Sequence, residues 1–355
     1  MRDNRAVVAL VVTTILYMAG QGAISPVLPI FAANFGVGAT LAGLSVGIFG
    51  AGRLVMGIPS GYLAERYGRR LVLVGGPAIT VVGSVLMAFS QNYPQLLMYR
   101  FISGLGGGMQ MIGVAIYLSD ISTTANRGRY MSLQPLGILT GVSVGPVLGG
   151  FAAEIWGLRA PFFIMAALSG AAALWAWWQI PDMKPQPAAP ASTPPAAGSQ
   201  DPPKKESLWT QARVLLLNPS FLVVGLFTMS IFLNRQGGRM SVLPLFAEEK
   251  GFSSDEIGLI FLATSLPQFF TVLASGALSD RWGRKSMVLP AAVTMTAGLM
   301  IFTYGERYGW LILSALFLGV GEGLSGSSPV AFAADIAPRR LLGLAMALYR
   351  MFGDL

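Results

Sequence analysis

Several charged side chains stand inside stretches that are otherwise apolar: Arg53, Arg100, Arg235, Arg239, Glu322 and Asp354. A charge placed in hydrocarbon costs about 2.5–3.5 kcal/mol on insertion scales, so each of these needs a partner or a task. Glu322, flanked by Gly321 and Gly323, can take up and release a proton. That is the chemistry of a coupling site; the alternative is a structural ion pair with a neighbouring arginine. Arg235 and Arg239 lie one helical turn apart on a shared face, suited to an anionic group or to pairing and snorkelling. Arg100 precedes the glycine cluster "GLGGG" (104–108), where it either meets a substrate or hydrogen-bonds carbonyls that the glycines free. Asp354 follows Arg350 by one turn. The chain has no Cys and no His, which excludes disulfides, thiol or His-rich metal sites and an imidazole proton relay. With no acidic pair inside one apolar stretch and no nucleotide-binding loop, neither an enzyme nor an ATP-driven pump is expected, and no cofactor.

A second constellation is written twice. "GYLAERYGRR" (61–70) returns as "GALSDRWGRK" (276–285). Gly61 lets a neighbouring helix approach closely, and Glu65 can sit against the positive N-terminal end of another helix. Arg69 is spaced to pair with Asp120 at the end of a later apolar stretch. Gly276, Asp280, Arg284 and Asp335 repeat the set. Membrane orientation alone requires neither the paired acids nor the glycine. The spacing therefore reads as a latch, whose contacts form when one end of a helical bundle shuts and break when it opens. A third group, "GVSVGPVLGG" (141–150), puts Gly141, Gly145 and Gly149 near one helix face, with Pro146 removing a backbone donor and Gly150 beside them. From the residues alone this is a small-residue packing seam.

These side chains must be carried by membrane helices. Of 355 residues, 54% are hydrophobic and only 11% charged, where a soluble domain is about a quarter charged. Crossing hydrocarbon takes about 20 mostly apolar residues, and the pattern predicts spans near 6–32, 38–60, 71–90, 94–119, 131–155 and 160–180. A second set follows near 219–246, 255–278, 286–304, 308–334 and 341–355. The loops holding Arg66, Arg70, Arg127, Arg129, Arg281, Lys285, Arg339 and Arg340 fall on one side with the N-terminus; the other side has only Arg159, Lys250 and Arg307. That asymmetry puts the N-terminus in the cytoplasm, and it assigns the net charge of +8 to membrane orientation, with no nucleic-acid partner. The proline-rich stretch 181–206 reads as an extended linker, and 207–218 as a short interfacial helix.

Shifted by 215 residues, the chain matches itself. "QGAISPVLPIFAANFG" (21–36) meets "QGGRMSVLPLFAEEKG" (236–251), and "GLGGG" meets "GVGEG" (319–323). An even number of spans between the copies makes this a parallel repeat about an axis along the membrane normal. The expected fold is an all-α polytopic membrane protein of two repeated six-helix bundles. Its parts are 1–180, a linker over 181–218, and 219–355, in which the register predicts further sequence beyond Leu355 to finish the eleventh span and add a twelfth. On "GYLAERYGRR", "LMYRFISGLGGG" (97–108), "GVSVGPVLGG" and "GQGAISPVLP" (20–29), the chain resembles the major facilitator superfamily, and most closely its twelve-helix drug:proton antiporter branch. Glu65 stands where the family usually has Asp, Ser103 where it often has Gln, and the first span lacks an acidic residue. The resemblance implies a monomeric multi-pass transporter of the cell (inner) membrane, embedded in the lipid bilayer. It would work on a small-molecule substrate by alternating access and draw energy from a proton or other ion gradient. It also implies an antiporter role for 141–150 and export of small organic molecules. The excess of arginines leans towards anionic or neutral substrates. Import of a metabolite or organic anion on the same fold stays open, as does a non-transporting sensor, which would tolerate loss of Arg100 and Glu322.

Overall fold

The computed structural model describes residues 2–122, 127–181, 213, 215–282 and 285–325, with isolated positions from 329 to 352. The first half comprises α1 (Arg2–Ile24), α2 (Leu28–Ala33), α3 (Ala39–Tyr67), α4 (Arg69–Ala88), α5 (Tyr93–Ile121), α6 (Arg127–Trp156) and α7 (Ala160–Gln179). The second comprises α8 (Pro219–Phe232), a π-helix (Leu233–Val242), α9 (Leu243–Glu249), α10 (Ser254–Trp282), α11 (Lys285–Phe302) and α12 (Tyr308–Ser325). Eight of these helices are long and apolar enough to cross a membrane, and Met287–Phe302 forms a shorter apolar one. Their outer faces carry exposed Leu54, Leu289 and Trp178, as a lipid-facing surface requires. The linker and most of the predicted interfacial helix lie outside the described residues, as does most of the eleventh span.

Two spans differ from the sequence expectation. The first breaks at Ser25–Val27, where three-residue turn bonds (Ser25 N–H to Gly22 O, 3.0 Å; Val27 N–H to Ile24 O, 3.2 Å) replace the α pattern. Pro26, which has no N–H to give, explains the break. The seventh is not one α-helix: "LNRQGGRMSV" adopts the wider π geometry between α8 and α9. Gly237 and Gly238 weaken the α preference there, and π segments inside helices concentrate at functional sites.

The repeat in sequence is a repeat in space. In the first half α5 packs against α3 and α4; in the second, α12 packs against α10 and α11. A Cβ added at Gly104 would stand 2.4 Å from Phe49 O, and one at Gly319 would stand 2.1 Å from Thr264 O. Gly83 closes on Ser103 N at 2.8 Å and Gly298 on Leu318 N at 3.1 Å. Each partner in the second half is the residue 215 positions on from its counterpart. Helix–helix packing in lipid depends on such close backbone approach, so the duplicated glycines set the same crossings twice.

The halves meet where α6 lies along α10, where α3 meets the π-helix, and where α2 meets α9. Gly150 abuts Ser254 O and Gly258 Cα, and Gly43 faces Ser241. These contacts sit at the end of the bundle opposite the duplicated charged loops.

Candidate functional site

The π-helix turns Arg239 into the interior of the second half, where it is 2% exposed. Its Nη1 donates to Glu322 Oε2 at 3.1 Å and to Gln268 Oε1 at 3.4 Å. Glu322, 4% exposed, is brought in by α12 and Gln268 by α10. Arg239 Nε and Nη2 and Glu322 Oε1 are buried without a hydrogen-bond partner among the described residues. The pair is thus closed on one edge and unsaturated on the other, a condition costly to keep buried unless something else fills it. Arg235 is half-buried and joins no ion pair among the described residues.

A second polar cluster lies in the first half. Arg100 of α5 is 6% exposed. Its Nη1 donates to Gln21 Oε1 at 3.4 Å, and its guanidinium lies 4.4 Å from the Phe49 ring centroid. The Gln21 amide donates to Tyr17 OH at 3.1 Å, and that hydroxyl is 3.2 Å from Thr80 Oγ1. Arg53 approaches the same Phe49 ring at 6.0 Å. Arg100 therefore does not cap carbonyls freed by its glycines. Those carbonyls stay in the helix, and the glycines instead let α3 and α4 press against α5.

Sequence reasoning missed Gln268, Tyr17, Gln21 and Phe49. Gln268 had a signal, since it is the residue 215 positions on from Arg53. The other three are ordinary helix residues until the fold brings them to Arg100.

At the charged loops, Arg69 Nε lies 2.8 Å from Asp120 Oδ2, and its Nη1 reaches Ala64 O at 3.3 Å. Gly68, at φ +98°, makes the turn that sets Arg69 at the start of α4. This pair corrects the expected latch in one respect. It joins α4 to α5 within one half, so parting of the halves does not break it. Glu65 is exposed and joins no ion pair among the described residues. The close approach expected at Gly61 is also absent, because no described atom lies within 4 Å of where its Cβ would stand. The start of the eleventh span lies outside the described residues. So do Arg284, Asp335 and Asp354, together with the side chain of Asp280 and the surroundings of Gly276.

The 141–150 segment serves two partners. Gly141, Gly145 and Gly149 face α1, with added Cβ atoms falling 2.6 Å from Ile15 O, 2.4 Å from Ala19 O and 1.7 Å from Ala23 O. Pro146 is shared, its ring against Gly22 of α1 and its carbonyl towards Gly258 of α10 in the other half, where Gly150 also lies. Among the described residues no group of acids could hold a metal ion.

Residues 10–355 match the Major Facilitator Superfamily. An uncharacterized MFS-type transporter of Methanocaldococcus jannaschii is 23% identical over 95% of this chain and 84% of its own length. The efflux pump radE of Floropilus chiversii is 26% identical over 75% of this chain, which spans 57% of that protein. The quinolone resistance protein NorA of Staphylococcus aureus is 30% identical over 46% of this chain and 42% of its own length. Among solved structures, an inward-facing, unoccupied bacterial homologue of the human lysosomal transporter Spinster superposes over the whole chain. It covers 80% of its own length, with a TM-score of 0.77 at 16% identity. A D-xylose–proton symporter covers 98% of this chain and 87% of its own, with a TM-score of 0.70 at 20% identity.

Proposed function

Because this chain belongs to the major facilitator superfamily, it is a multi-span membrane transporter of small molecules, and we propose that it is a proton-coupled exporter of small organic molecules working by alternating access. The observation that carries this reading is the buried Arg239–Glu322 pair with its unsaturated edge. Among the described residues Glu322 is the one buried carboxylate. Ionised, it holds Arg239; protonated, it releases a guanidinium that can rotate or take another partner. A single proton thus changes the charge and the hydrogen bonding of the bundle centre, which is what a coupling site must do.

Among the described residues the halves touch at the Gly150–Gly258 end, which supports a state whose centre faces the end with the charged loops. The arginine asymmetry assigns that end, with the N-terminus, to the cytoplasmic side of the cell membrane. Export is supported by the efflux and resistance activities named for two relatives. Gly61 and Glu65, with their repeats Gly276 and Asp280, would close the cytoplasmic end in the opposite state, while Arg69 and Asp120 brace α4 against α5 within the first half. A second reading, import of an organic anion, is favoured by Arg53, Arg100 and Arg235, none of which joins an ion pair among the described residues.

Proteoliposomes carrying Glu322→Gln test the coupling role. The variant is expected to lose accumulation driven by a proton gradient while keeping substrate exchange at equilibrium. Accumulation equal to the parent would make the pair structural. The direction of accumulation under an imposed gradient separates export from import.

A further inference from the structure

Among the described residues three arginines are buried, and only two have a counter-ion: Arg69 has Asp120, and Arg239 has Glu322. Arg100 has a neutral amide at 3.4 Å, long for a charge-assisted bond, and its buried Nε has no partner among the described residues. Arg53, over the same Phe49 ring, is a second cation. A neutral amide does not offset the desolvation of a cation, so the site as built lacks one negative charge. Gln21 cannot supply it: its amide nitrogen is tied to Tyr17 OH, which is tied to Thr80, so the side chain is braced with only its carbonyl towards Arg100.

We infer that Arg100, Gln21 and Phe49 form an anion subsite that takes the carboxylate of an organic acid, an assignment that rests on the transporter reading and names its substrate class. The unpartnered Nε edge is the donor for a carboxylate oxygen, and a guanidinium matches a carboxylate in two parallel bonds. Phe49 gives the acid's body an apolar neighbour beside the carboxylate, and Arg53, over the same ring, adds positive field. Gln21 holds Arg100 by one long bond that an anion readily replaces. Substrate and proton then use different guanidiniums, Arg100 and Arg239, so anion binding does not require Glu322 to let go of its partner.

Equilibrium binding of benzoate to the purified full chain, with benzamide as a neutral probe of the same shape, tests this. Benzoate is expected to bind about tenfold to a hundredfold more tightly than benzamide, as a charge-assisted bond in a dry site requires. Arg100→Gln should erase that preference and Arg100→Lys should keep a weakened form of it. Gln21→Glu is the decisive variant, because it builds the missing carboxylate beside Arg100. It should raise the thermal midpoint of the unliganded protein and abolish benzoate binding. An Arg100 that only braces helices would leave benzoate unaffected by that change. Equal affinity for the two probes, or undiminished benzoate binding in Gln21→Glu, overturns the subsite. The Gln21→Glu arm decides even if Arg100→Gln fails to fold. Binding needs no gradient, so its failure leaves the coupling role of Glu322 standing, and retained accumulation in Glu322→Gln with benzoate still bound rejects only that role.

Discussion

Removing one member of a buried ion pair costs more than removing both, because the survivor is left charged and without a partner. Arg239→Gln strands Glu322, and the loss is expected at about 3–5 kcal/mol, seen as a marked fall in the thermal midpoint of the detergent-solubilised protein. Adding Glu322→Gln to it should recover part of that fall. If the double variant is less stable than either single one, the two side chains are not the coupled pair that their 3.1 Å contact indicates. Glu322 is conspicuous in the sequence because a carboxylate between two glycines in an apolar stretch has few other uses. Its partner is not, since Arg235 and Arg239 have the same type and similar surroundings. Which of them enters the core depends on how the π-helix turns the backbone, and side-chain types do not record that.

Elements are legible to the extent that burial in lipid dictates them. Apolar length marks the spans, and loop charge and glycine mark their ends, as at Tyr67–Arg69. The break at Ser25–Val27 and the π-helix escape this reading, because hydropathy is blind to which carbonyl a given N–H bonds. Glycines show the same divide, since composition cannot tell a crowded one from an open one. Gly149→Leu would drive a side chain into Ala23 at the α1–α6 seam. The folded yield should collapse, as judged by size-exclusion profile. Gly61→Leu meets no described atom, so it should purify like the parent. Its transport is nevertheless expected to stop, because the end of α3 must approach the other half in the opposite state. A Gly61→Leu carrier with normal transport would remove that half of the latch.

For the whole molecule, alternating access requires that the contacts between halves at the Gly150–Gly258 end come apart in each cycle. Gly43 and Ser241 are the points to hold. A Cβ on Gly43 would stand 3.6 Å from that of Ser241, within the roughly 3.5–4.5 Å that a disulfide spans. The chain contains no cysteine, so Gly43→Cys with Ser241→Cys creates one possible intramolecular bridge and no other. Mild oxidation should form it readily in the resting carrier. The bridged protein should still bind benzoate, since Arg100 lies within one half and the bridge spans two. It should not move substrate, because α3 and the π-helix can no longer separate. A thiol reductant should restore transport in the same sample, which excludes misfolding as the cause of the block. Should the oxidised carrier transport at the reduced rate, this end of the bundle does not open during the cycle, and substrate must leave by another route.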